Sequence, residues 1–185
     1  MIGDNGWPLQ FGFVVPDIAA AIEHWRVTAG AGPFVHVAGI DDNICLYRGE
    51  PTSVVLDVAL AYCGDTQIEL IRQVNDAPSP YRAFLASGGT GVQHFGFWSS
   101  DVPAACARLE SEGYAREFVC RHPSARHGSI YFDAPGGNGP MIEISEATPG
   151  KLATYNRLRD LCNAPGRDLS TLRFDTFAGF VAQFG

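Results

Sequence analysis

The chain lacks any apolar run near the ~20 residues a helix needs to span a bilayer, so no transmembrane helix is expected. Its first residues, Met1 to Leu9, include Asp4 and neither Lys nor Arg, unlike the basic start of a signal peptide. Lys and Arg nowhere form a stripe, and the net charge is −7, which removes nucleic acid from the expected partners. No C-x-x-C pair occurs among the five cysteines, Cys45, Cys63, Cys106, Cys120 and Cys162. Reduced structural thiols in a cytoplasmic protein are the simplest reading of that odd count. Gly136-Gly137-Asn138-Gly139 lacks the strand-to-helix setting of a phosphate loop, so no nucleotide is implied. What remains is ordinary globular composition over 185 residues, 46% hydrophobic and 18% charged.

Periodicity then orders the chain. Leu9 to Val15 alternates like a strand. Pro16 stops it, and Asp17 caps a helix carrying Ile18, Ala21, Ile22 and Trp25 at helical spacing. Strands are predicted over Phe34–Val37, Ile44–Tyr47, Ser53–Ala61 and Gln67–Ile71. A Pro- and Gly-rich linker with a short helix near Tyr81–Leu85 follows. The pattern then restarts: a strand over Val92–Trp98, a helix capped by Asp101 and ended by Gly113, and strands over Phe118–Cys120, Ser129–Phe132 and Pro140–Ile144. Leu152, Tyr155, Leu158, Arg159 and Cys162 suggest a C-terminal helix, and the tail from Pro165 has no reading.

This restart is an internal duplication. Gln10-Phe11-Gly12-Phe13 aligns with His94-Phe95-Gly96-Phe97, and the same offset of 84 positions (10 to 94) carries Asp17 onto Asp101. Gln67-Ile68-Glu69-Leu70 aligns with Met141-Ile142-Glu143-Ile144. The repeat places Gln10 and His94 in the first strand of each half, and Glu69 and Glu143 in the last. Each Glu lies between apolar residues that take the opposite face. A carboxylate on the concave face of a sheet is costly unless compensated. Four such groups converging from four strands would satisfy one another through a metal ion. One divalent ion (Zn, Co, Ni, Mn or Fe) suits the mixed amide, imidazole and carboxylate set, and the absence of a thiolate argues against a closed structural zinc site.

The stretches FGFVVPDIAAAIEHW, GAGPFVHV, GDTQIELIRQ, GVQHFGFWSSD and YFDAPGGNGPMIEISE resemble, in order and spacing, the vicinal-oxygen-chelate superfamily (glyoxalase, bleomycin resistance, dioxygenase). The nearest likeness is to glyoxalase-like and methylmalonyl-CoA epimerase-like proteins. The resemblance implies an α+β fold of two paired βαβββ modules forming a curved, half-open barrel around one divalent metal. The modules fall at 7–72 and 91–146, with a linker at 73–90 and a C-terminal helical extension at 147–185. Carried over by position, the metal ligands are Gln10, Glu69, His94 and Glu143. The epimerase pattern usually has His at the place of Gln10; a Gln, Glu, His, Glu set is closer to some glyoxalase I enzymes. A homodimer is implied by resemblance alone.

The function this predicts is a metal-dependent isomerase or lyase. It would move a proton next to a metal-bound carbonyl, on an acyl-CoA or other thioester, with Glu143 and Glu69 as acid and base on opposite faces. One alternative is a small-molecule binding or resistance protein, its cleft lined by aromatics such as Phe11, Phe13, Phe34, Phe95, Phe97 and Trp98. Another is an Fe(II) extradiol-type dioxygenase, although only His94 stands at a histidine position of that class. Phe34, His36, Trp98 and Arg121 are the expected substrate contacts, with Arg126 a further anchor for an anion. His24 is read as a surface or core-edge residue, and His122 and His127 as flanking a turn from which they could touch substrate.

Overall fold

A computed structural model describes residues 2–4 and 6–185; Met1 and Asn5, in the N-terminal segment, lie outside it. The first half runs β1 (Gln10–Val14), α1 (Ile18–Ala29), β2 (Val35–Ile40), β3 (Ile44–Tyr47), β4 (Glu50–Thr52), β5 (Leu56–Cys63) and β6 (Thr66–Gln73). After α2 (Pro80–Ala86) come β7 (Val92–Ser99), α3 (Val102–Ser111), β8 (Ala115–Arg121), β9 (Ser129–Asp133) and β10 (Met141–Glu146). The chain closes with α4 (Pro149–Asn163), β11 (Leu172–Phe174) and α5 (Phe177–Phe184). The Asp17 and Asp101 carboxylates accept from Ala20 N (3.0 Å) and Ala104 N (3.1 Å), so both halves begin their helix with the same cap.

Among the described residues, eleven strands form one curled sheet in the order β11-β2-β5-β6-β1-β7-β10-β9-β8-β3-β4, an α+β half-barrel with C-terminal helices. The halves join at β1 and β7, which run antiparallel, while β6 and β10 lie parallel to β1 and β7. The β3–β4 hairpin leaves its own half. It pairs with β8 of the other, Cys45 opposite Cys120, so Asp41–Asn43 bridges the two ends of the curl. The strand expected over Ser53–Ala61 is β5, which starts only at Leu56; residues 53–55 separate it from β4, a strand the sequence did not predict. Asn75 ties the break, its amide donating to Ser53 O (2.6 Å) and its carbonyl accepting from Val55 N (3.1 Å).

Alternation sorts the side chains into two faces. The convex face of the second half packs Phe97, Phe132 and Ile144 on Val102, Cys106 and Leu109 of α3. In the first half, Ile18 and Ile22 of α1 are buried, and α1 lies against β5 and β6. The C-terminal segment completes the structure rather than trailing from it. Helix α4 lies against β5, β11 adds a parallel strand to β2, and α5 packs on α4 and β2. Tyr155, Leu158, Cys162, Phe180 and Phe184 are all buried there.

Candidate metal centre

Registers place the polar residues. Gln10 stands opposite Gly96 and Gly12 opposite His94 across β1–β7, while Gly12 pairs with Glu69 and Gly96 with Glu143. Paired residues share a face, so Gln10, Glu69, His94 and Glu143 all point into the concavity. Each copy of the repeated x-Phe-Gly-Phe motif therefore sets its polar residue over the other copy's glycine. The His94 ring lies on Gly12, where a Cβ would come 1.8 Å from Cε1. The Gln10 carboxamide lies on Gly96, where a Cβ would come 2.6 Å from Oε1. Gly12 and Gly96, quoted in the motif without a role, thus supply the space that His94 and Gln10 fill. The signal was their recurrence in both copies of the motif.

His94 Nε2 lies 3.2 Å from Glu69 Oε2 and 3.2 Å from Glu143 Oε2. One ligand atom from each of the three residues falls within 4.8 Å of the others, the geometry of a metal cluster. His94 is fully buried and Glu143 nearly so, while the Glu69 side chain is 14% exposed. Surrounding groups aim these donors inward. Gln93 Oε1 sits 2.8 Å from His94 Nδ1, where it accepts the Nδ1 proton and leaves Nε2 as the nitrogen that faces the carboxylates. Gln10 Nε2 donates to Gln67 Oε1 (2.7 Å) and Gln67 donates to the Tyr62 hydroxyl (3.1 Å), leaving Gln10 Oε1 free. Ser129 Oγ donates to Glu143 Oε1 at 2.7 Å. Tyr131 packs edge-on against the imidazole, ring centres 5.1 Å apart.

Buried polar atoms are nearly always hydrogen-bonded. Here Gln10 Oε1, Glu69 Oε2 and His94 Nε2 are buried without a hydrogen-bond partner. Three orphaned donors facing one concavity, with the Glu143 carboxylate beside them, are what a divalent cation would satisfy. The residues thus fit a metal. Without it, the site leans on a proton. Burial alone would lower the His94 pKa, but the Glu143 and Glu69 carboxylates facing Nε2 at 3.2 Å overcome that and push it up to about 9. Burial, reinforced by the Glu143 charge, holds Glu69 above the usual carboxylate range despite His94. Burial also opposes ionisation of Glu143, but His94, Lys151 and Ser129 outweigh it and hold its pKa low.

The expected substrate contacts fare differently. Trp98 shares the concave face with His94 and Gly96, next to the site. His36 does not: Val35 and Val37 pair with Leu60 and Val58, which puts His36 on the convex face, against Arg173 (Nδ1 3.0 Å from Nη1). Phe34 is 1% exposed within the hydrophobic core. Arg121 donates to the carbonyls of Pro123 and Ala125 (3.1 and 2.9 Å), so it braces the β8–β9 turn. A cavity of about 400 Å³ opens between α2 and the end of the barrel. It reaches Gln93 and Met141, which flank His94 along β7 and β10, but none of the four convergent residues lines it.

Residues 9–132, about two-thirds of the chain, match the Glyoxalase/Bleomycin resistance protein/Dioxygenase superfamily, and the protein belongs to that family. No curated protein matches in sequence. Among solved structures, the chain is similar to a methylmalonyl-CoA epimerase from Mycobacterium tuberculosis, at 24% identity over 78% of this chain and 89% of that one, with a TM-score of 0.53. It is also similar to a Streptomyces coelicolor methylmalonyl-CoA epimerase in complex with 2-nitronate-propionyl-CoA, at 18% identity over 77% and 97% of the two chains, TM-score 0.53. A hypothetical protein, BH1468 from Bacillus halodurans C-125, aligns at 14% identity over 75% and 92%, TM-score 0.54. At such identities the likeness is one of fold. No described helix is long and apolar enough to cross a membrane.

Proposed function

We propose that this protein is a metal-dependent isomerase or lyase that moves a proton on the carbon next to a carbonyl of a small acyl compound, with acyl-CoA thioesters the first class to test. The observation that carries the reading is the set of orphaned donors, Gln10 Oε1, Glu69 Oε2 and His94 Nε2, beside the ionised Glu143. Gln10, Glu69, His94 and Glu143 would hold one divalent ion, which when bound supplies Lewis-acid polarisation of the carbonyl. Acyl-CoA chemistry is suggested by the epimerases of like fold, one of them seen with a CoA derivative.

The two carboxylates arrive from different halves of the barrel, Glu69 on β6 and Glu143 on β10, with His94 between them. They differ in tethering. Both face His94 Nε2 at 3.2 Å, but Glu143 is also held by Ser129, whereas Glu69 has no such second tether and its side chain is partly exposed. Glu69 is therefore the carboxylate free to swing to the substrate, take the proton and give it back, and Glu143, which stays ionised, is the one fixed to hold its neighbours in place. Environments that push two carboxyls apart in basicity suit such a division. His94 is the single histidine of the cluster and His36 faces away, so the two-histidine iron set of the extradiol class has no counterpart here.

The test begins with elemental analysis and metal titration of the protein beside His94→Ala and Glu143→Ala. About one equivalent per chain, lost in both variants, is expected. Loaded protein is then incubated in D₂O with a panel of acyl-CoAs and α-hydroxy thioesters and read for exchange by mass spectrometry. No ion bound after exposure to Mn, Co, Ni and Zn would remove the enzyme reading and leave an aromatic-lined binding protein.

A further inference from the structure

Of the 13 basic residues in the chain, twelve are arginines and one is a lysine, Lys151. It stands in the first turn of α4, where an ammonium opposes the helix dipole, so helix stability does not explain it. Its Nζ donates to Ser145 Oγ at 2.7 Å and lies 4.8 Å from the Trp98 ring centre and 5.8 Å from that of Tyr155. Ser145 is the next residue after Glu143 on the concave face of β10, and Trp98 stands two steps beyond His94 on β7. The helix of the extension thus brings one cation to the edge of the metal centre. Among the described residues, Ser145 is its one hydrogen-bond partner and it forms no ion pair. The aromatic rings supply a face for a cation, but the remaining N–H donors are uncommitted.

Charge accounting gives that amine a use. A divalent ion with Glu69 and Glu143 ionised and with neutral Gln10 and His94 is electrically neutral. The half-buried Lys151 leaves a net charge of plus one beside the buried His94 and Glu143, where an unpaired charge is costly. An arginine in its place would present a broad planar fork; a lysine presents a point charge that fits between two rings and a hydroxyl.

We propose that Lys151 is the anion-holding residue of this site, and that the substrate carries a carboxylate in addition to the two oxygens that meet the metal. The residue sets specificity, and it lies beyond the region that matches the family, which ends at residue 132. The proposal rests on the metal reading above. Burial pulls the Lys151 pKa down to about 8, against the raising influence of Glu143 and Glu69, so the amine is still mostly charged near neutral pH.

The test uses zinc-loaded full-length protein and two chelating probes that differ by one carboxylate, glycolate and tartronate. Wild-type protein is expected to bind tartronate at least about tenfold more tightly, the scale of one charge-assisted hydrogen bond. Lys151→Met is expected to reduce that preference to about threefold or less with glycolate affinity and zinc content unchanged, and Lys151→Arg to keep part of it. Because the chain has one lysine, ¹³Cε-lysine labelling gives one side-chain resonance. In wild-type protein this resonance is expected to move with tartronate and stay still with glycolate, a readout that does not depend on any variant folding. One zinc per chain with equal preference in wild type and Lys151→Met, or a resonance indifferent to tartronate, overturns the proposal alone. A wild-type protein that binds no zinc overturns the metal reading and this inference with it.

Discussion

The His94 proton offers the most direct probe of the centre. In the metal-free protein the ring is held protonated up to about 9 by Glu143 and Glu69, against the effect of burial. A metal needs the Nε2 lone pair, so binding below that pH must expel the proton. At pH 7 the imidazolium lies about two units below its pKa, which at ~1.36 kcal/mol per unit costs the metal ~2.7 kcal/mol, or roughly 100-fold in apparent affinity. Apparent affinity for Zn or Co, measured by competition with a chromophoric chelator, is expected to rise about tenfold per pH unit from pH 7 and to flatten near pH 9. Calorimetry in two buffers of different ionisation enthalpy is expected to show about one proton released per ion at pH 7. The stability of the apoprotein runs the other way. Because the folded pKa is raised above the ordinary ~6.5, the His94 contribution is complete below about pH 6.5 and is lost as pH rises through about 9. An affinity flat from pH 7 to 8.5, with no proton release, would refute the placement of a charged His94 between the two carboxylates.

Four further outcomes follow from particular contacts. Gly12→Ala puts a methyl into the His94 ring, so it is expected to abolish stoichiometric metal binding in a chelator competition, whereas Gly96→Ala, which meets the movable Gln10 carboxamide, should weaken binding and not abolish it. Gln67→Leu removes the bond that turns Gln10 Oε1 inward and is expected to cost ~10- to 100-fold in metal affinity, the usual scale for a supporting partner; unchanged affinity would mean Gln10 is no ligand. The ¹³Cε resonance of Lys151 in metal-free protein should titrate near pH 8 and not near the ~10.4 of a free lysine, and Glu143→Gln should lower it further by removing a charge that favours the ammonium. Deleting residues 147–185 strips Tyr155, Leu158, Phe180 and Phe184 from the core at ~1.5–3 kcal/mol each, so the truncated chain is expected to aggregate; a soluble monomer with a cooperative melt would show that the extension is dispensable.

What could be read from the sequence was whatever the duplication wrote twice. Asp17 and Asp101 cap equivalent helices, and the paired strands carry Gln10 with His94 and Glu69 with Glu143, because strand parity transfers from one copy to the other without reference to the rest of the fold. Where no second copy exists, parity was unconstrained. Phe34 and His36 follow an irregular turn, and a one-residue shift in the face assignment was enough to send His36 to the wrong side of the sheet. Strand β3 was legible, but neither its hairpin with β4 nor its bridge to β8 was, since nothing local in Cys45 or Cys120 names its partner across 75 residues. Strand β11, three residues long, exists only because β2 offers it an edge.

The two glycines show why a duplicated site is self-consistent. Antiparallel pairing of β1 with β7 about Gly12 and Gly96 requires that whatever polar side chain one copy presents, the other copy must make room for it two residues along. Gln10 and His94 can differ in chemistry because the space each fills is set by the partner's glycine and not by its own neighbours. The extension breaks that symmetry: α4 lies outside the repeat and carries the chain's single lysine to Ser145 and Trp98, at the edge of an otherwise twofold centre. A substrate meeting the site therefore finds two carboxylates related by the repeat and one cation that is not, which is the asymmetry needed to fix which way round it binds.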